Sequence, residues 1–70
     1  MYYSNSQLMS LITEYVRSQR DRDVLKRRLI DGATYESLAA EFNYSTRQMI
    51  RIVAKAKKEL FDIVTEMSLL

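Results

Sequence analysis

One glycine and no proline in seventy residues is the tightest constraint on how this chain folds. Reverse turns lean on those two residues, so a chain nearly without them changes direction mainly through the caps between helices. The apolar residues repeat accordingly. Leu8, Leu11, Ile12, Tyr15 and Val16 recur at helical intervals, as do Val24, Leu25 and Leu29. Leu38, Ala39 and Phe42 form a third set, and Met49, Ile52, Val53, Ala56, Leu60, Val64 and Met67 a long fourth one. Each set falls on one face of a helix. The expectation is an all-α fold in one domain, 1–70, with four helices at roughly 5–17, 19–31, 34–42 and 46–67.

The helix ends are marked by residue type. Ser18 stands three residues before Asp21, and Ser45 three before Gln48. Both read as capping boxes or close variants, which satisfy the free N–H groups of a first turn. Thr34 is placed to cap the third helix. Gly32 follows Asp31 where the second helix should stop, because glycine accepts a left-handed backbone. Asn43 is the next best residue for such a bend.

The chain contains no cysteine and no histidine. Disulfides and zinc sites are thereby excluded as staples, and the commonest nucleophiles, bases and metal ligands are missing. The acids are scattered and suit capping or surface pairing. No enzyme, no cofactor and no metal site is expected. The 47% hydrophobic and 29% charged residues are those of a folded chain. A domain this short buries little surface, so association with a second copy is the expected route to further stability. The N-terminus lacks a basic segment followed by an apolar run, and no apolar stretch approaches bilayer length. A cytoplasmic location is expected.

Net charge is only +2, but it is segregated. Residues 46–58 carry Arg47, Arg51, Lys55, Lys57 and Lys58 and no acid; residues 59–70 carry Glu59, Asp62 and Glu66 and no base. A charged outer helix face is ordinarily just solvated. A stripe of one sign, on a helix that follows a tight bend, suits a polyanion better.

The segment TYESLAAEFNYSTRQMIRIVAKAKKEL, residues 34 to 60, contains that bend. Two short helices crossing at a steep angle need a small residue at their contact, and Ala39 supplies it. They need apolar residues around it, and Leu38 and Phe42 do this. The bend needs tolerance of positive φ at Asn43, then an apolar plug, Tyr44. Met49 and Ile52 would face inward from the second helix. These features predict a helix-turn-helix with a core at 34–54. If Met49, Ile52, Val53 and Ala56 point inward, Arg47, Arg51, Lys55 and Lys58 line the outside. The side chains near the helix start suit a major groove. Arginine pairs with guanine, glutamine with adenine, and a methyl from threonine or Ile50 with thymine. The expected base-reading residues are Thr46, Arg47, Gln48 and Arg51; the expected phosphate contacts are Thr34, Ser45, Lys55 and Lys58.

The stretch RDRDVLKRRLIDGATYESLAAEFNYSTRQMIRIVAKAKKEL resembles the C-terminal promoter-recognition region of bacterial sigma factors and, more loosely, the DNA-binding domain of LuxR-type regulators. The resemblance is carried by Arg22-Asp23-Val24-Leu25, Leu29-Ile30-Asp31-Gly32, Thr34-Tyr35-Glu36, Leu38-Ala39, Ser45 and Lys55-Ala56-Lys57-Lys58-Glu59-Leu60. Asn43 stands where that pattern usually has glycine. The resemblance covers roughly residues 18 to 60 and implies a fourth helix that enters the major groove of double-stranded DNA. Nothing in the chain matches the parts of a sigma factor that bind the polymerase core. The size fits a small stand-alone transcription regulator of the kind phages and mobile elements carry.

The C-terminal extension, 60–70, holds more apolar residues than one isolated helix hides. Either they pack on the first helix, or Leu60, Phe61, Val64 and Met67 form a two-fold interface. The homodimer is the expectation, because such readers take two half-sites about one DNA turn apart. Two other readings stay open. One is a protein-interaction module that binds RNA polymerase or another protein. The other is a recognition subunit in phage DNA packaging.

Overall fold

A computed structural model describes residues 3–69, with side chains as far as Glu66. It is all-helical among the described residues. Helix α1 spans Asn5–Tyr15, α2 Gln19–Leu25, α3 Tyr35–Phe42 and α4 Thr46–Leu69; α2 runs without a break into a π-helical turn, Lys26–Ile30. The twenty-four residues of α4 reach about 36 Å at 1.5 Å per residue. That length accounts for the long axis of the molecule, 39 Å against 19 Å in the other two directions. The other helices all pack on α4.

The caps form where hydroxyls precede the helices. The Ser18 hydroxyl accepts from the Asp21 N–H, and the Thr34 hydroxyl accepts from the Ser37 N–H at 3.1 Å. Ser45 and Gln48 make a full reciprocal box: the Gln48 N–H donates to Ser45 Oγ (3.1 Å) and the Ser45 N–H to Gln48 Oε1 (3.0 Å). A fourth cap, absent from the sequence expectation, joins Ser4 and Gln7 in the same reciprocal way. Gly32 takes φ +73° after the π turn, and Asn43 takes φ +63° after α3. The left-handed Asn43 turns the chain back so that the Tyr44 N–H reaches the Ala39 carbonyl at 2.9 Å.

The second helix departs from the expected regular 19–31. Its last turn is π-helical, closed by the Asp31 N–H on the Lys26 carbonyl, five residues back. The wider turn sets Ile30 beneath Leu25 as well as Leu29, and both pack against the same apolar cluster. Apolar period alone carries no sign of this, since Leu25 and Leu29 already satisfy an α-helical step.

The core has two halves. Val24, Leu38, Ala39, Met49 and Val53 form one, with Phe42, Tyr44 and Ile52 packed against it. Ile12, Val16, Leu25, Ala56, Leu60 and Val64 form the other, with Leu11, Tyr15, Leu29 and Ile30 around it. Helix α4 contributes to both along its length. Helix α2 spans the seam, sending Val24 to one half and Leu25 to the other. The Arg17 N–H donates to Glu59 Oε1 (3.2 Å), tying the α1–α2 connection to α4. Among the described residues, no helix is long and apolar enough to cross a membrane.

Candidate nucleic-acid interface

The site is built on the outward face of α4. Met49 and Val53 are fully buried against α3, and burying them fixes the rotation of the helix. Arg47, Ile50, Arg51, Ala54, Lys55 and Lys58 are consequently exposed, at steps of three, one, three, one and three residues. These steps lay them along one stripe of helix surface. The turn of three residues, 43–45, holds the start of α4 close to the end of α3. Tyr44 half-buries its ring on the near half of the core and accepts a hydrogen bond from Arg20 Nη1 at 3.1 Å. The guanidinium also lies 5.6 Å from the centre of that ring.

The arginines of the second helix and those of α4 differ, while Arg17 in the α1–α2 connection is exposed with no side-chain partner among the described residues. Those of the second helix are engaged. Arg20 bonds Tyr44 and Asp21, and its pKa is raised by the Tyr44 hydrogen bond first and the Asp21 carboxylate second. Arg22 donates to the Val16 carbonyl and to Gln19. Arg27 bridges Asp31 and Glu41, both at 3.0 Å, and the Asp31 hydrogen bond, followed by that of Glu41, raises its pKa. Arg28 bonds the Ala33 carbonyl and stacks 4.2 Å over the Tyr35 ring. Arg47, Arg51 and Lys55 on α4 make no ion pair or side-chain hydrogen bond to any described residue.

The expected site residues fall into three situations. Thr46, Arg47 and Arg51 are exposed at the start of α4. Gln48 is also exposed, but its carbonyl oxygen is committed to the cap on Ser45, leaving its Nε2 hydrogens free. The Thr34 and Ser45 hydroxyls accept cap bonds, and each retains its own O–H to donate outward. Lys55 is free on the stripe, while Lys58 is paired with Asp62 at 3.2 Å, four residues on. Both partners are largely exposed, so the pair is weak and easily exchanged. The capping box between Ser45 and Gln48 was expected from the sequence, whereas the pair of Lys58 with Asp62 was missed, although it follows from side chains four residues apart on a helix.

The residues expected to form a dimer separate as well. Leu60 is fully buried and Val64 nearly so, both in the half of the core that α1 covers. Phe61 is on the surface. The side chain of Met67 lies outside the described residues. No family model, curated protein or solved structure matches the chain.

Proposed function

We propose that the chain is a sequence-specific double-stranded DNA-binding transcription regulator. In this reading α3, the bend at Asn43 and α4 act as a helix-turn-helix, with α4 in the major groove. The observation that carries it is the contrast between the two sets of arginines. The second helix uses its arginines internally, whereas α4 keeps Arg47, Arg51 and Lys55 unpaired on a face without an acid over residues 46–58. Unpaired cations on a rigid helix neutralise phosphates without first breaking a bond in the protein. Near the helix start Arg47 and Arg51 have the fork geometry that pairs with guanine, and Thr46 offers a hydroxyl and a methyl. Gln48 contributes through Nε2. Lys55, Lys58 and the O–H groups of Thr34 and Ser45 take the phosphates.

The test is selection of binders from a random duplex pool, followed by fluorescence anisotropy at low and moderate salt. The expected result is one enriched site, bound with an affinity that falls steeply as salt rises. Arg47→Ala is expected to lower affinity for that site far more than for random duplex, by roughly tenfold or more. Lys55→Ala is expected to weaken both alike and to flatten the salt slope by about 0.9. A palindromic enriched site goes with the expected homodimer, for which Phe61 is the exposed candidate contact. Absence of binding at low salt overturns the DNA reading in favour of a protein-binding module.

A further inference from the structure

Among the described residues, three large hydrophobic side chains are exposed: Met9, Ile50 and Phe61. Met9 lies on α1 and Phe61 about three turns of α4 beyond Arg51, and nothing around either points to a ligand. Ile50 is different. It is 45% exposed, in the second turn of α4, three residues after Arg47 and beside Arg51. Met49 before it and Val53 after it complete the near half of the core. Ile50 is therefore not needed to hold α4 in place. Ala54, one turn further along the same flank, is exposed and carries only a methyl group. A small side chain there lets the helix approach a surface closely around Ile50.

We propose that Ile50 is a specificity-determining residue that packs on the C5-methyl group of a thymine, next to the base pair met by Arg47. The proposal rests on the DNA reading above and names the base that it selects. Two observations carry it. The first is an exposed apolar group at the edge of a stripe of unpaired cations, one turn from Arg47 and next in sequence to Arg51, on a face whose partner must otherwise be anionic. In B-form DNA the thymine methyl is the apolar group that the major groove presents among its donors and acceptors. The second is the commitment of Gln48. Pairing with adenine in two-point fashion needs the amide oxygen as acceptor and the nitrogen as donor on one edge, and the bond from the Ser45 N–H ties that oxygen to the helix start with one lone pair left to offer. The methyl on the thymine side offers a readout of an A·T pair that asks nothing of Gln48, and Ile50 is the exposed apolar side chain at that end of the helix.

The test is a double substitution, one in the protein and one in the DNA. The probe is the duplex enriched by wild-type protein, with each thymine replaced in turn by deoxyuridine, which removes only the methyl. Replacement at one position is expected to weaken wild-type binding roughly fourfold, the size of one buried methyl group. The same replacement is expected to be silent for Ile50→Ala, whose thermal melt should match that of the wild type because the site is exposed. Wild-type binding that survives deoxyuridine at every position overturns the methyl contact and leaves the DNA reading standing. Equal losses for wild type and Ile50→Ala assign the methyl to another residue and also overturn it. If the wild-type chain binds no duplex, the DNA reading itself fails, and this inference with it.

Discussion

Gln48 shows how one side chain is divided between folding and recognition. Its backbone N–H and its amide oxygen close the box with Ser45, and that box satisfies two free donors at the start of α4. Gln48→Ala removes one of those bonds and is expected to cost about 0.5–1.5 kcal/mol in a urea titration. Gln48→Glu keeps an acceptor for the Ser45 N–H and adds a negative charge to the first turn, where the helix dipole welcomes it. Its stability is expected to equal or exceed the wild type, while its affinity for duplex falls, since the same charge faces phosphate. Stability and affinity that fall together in both variants would sink this division of roles. Asn43 is the comparable case for the backbone. At φ +63° its short polar side chain occupies a region that β-branched residues avoid, and the whole approach of α4 to α3 turns on it.

At the scale of the element, α4 is one continuous helix with two jobs. Its first three turns carry the unpaired cations, and its later turns carry Glu59, Asp62 and Glu66. The change of sign happens within a single turn, where Lys58 pairs with Asp62. An acid at that place both occupies Lys58 and repels a phosphate strand. Asp62→Asn is expected to raise affinity for any duplex roughly two- to fivefold at low salt, with the gain shrinking as salt rises. Anisotropy on cognate and random duplexes distinguishes this from a change in base reading, which would favour one of them. The second helix is the counterpart. Its arginines are spent on Asp21, Tyr44, Asp31, Glu41 and the Ala33 carbonyl, and these bonds fasten its two ends to the turn and to α3. The π turn belongs to the same task, because it delivers Leu29 and Ile30 together to the far half of the core.

At the scale of the molecule, the two halves of the core are joined by α4 and by the neighbours Val24 and Leu25. Neither half is large, and a domain of this size has little stability in reserve. Leu60 sits in the far half, fully buried among Ile12, Val16 and Val64. Leu60→Ala is expected to cost about 2–5 kcal/mol, enough to unfold much of the population. Circular dichroism should show that loss to the same degree at all protein concentrations, as a defect within one chain does. A loss that vanishes at high concentration would instead put Leu60 at a contact between copies.

The all-helical fold and three of its caps were legible in the sequence because they are local. A hydroxyl three residues before an acceptor, or asparagine at a bend, acts within one turn of chain. The apolar steps likewise determined which face of α4 turns inward, and so which face carries Arg47, Ile50, Arg51 and Lys55. The cap at Ser4 and Gln7 and the pair of Lys58 with Asp62 obey equally local rules but were overlooked. Other features depended on what lies across the core. Leu60 and Val64 were expected at a contact between copies, but α1 covers them and they lie in the core of one chain. The π turn arose from fitting Leu25, Leu29 and Ile30 to one cluster, a demand that residues distant in sequence impose. Which arginines are free was decided in the same way, since a guanidinium has no preference between Tyr44, Glu41 and a phosphate until the fold places one of them within reach.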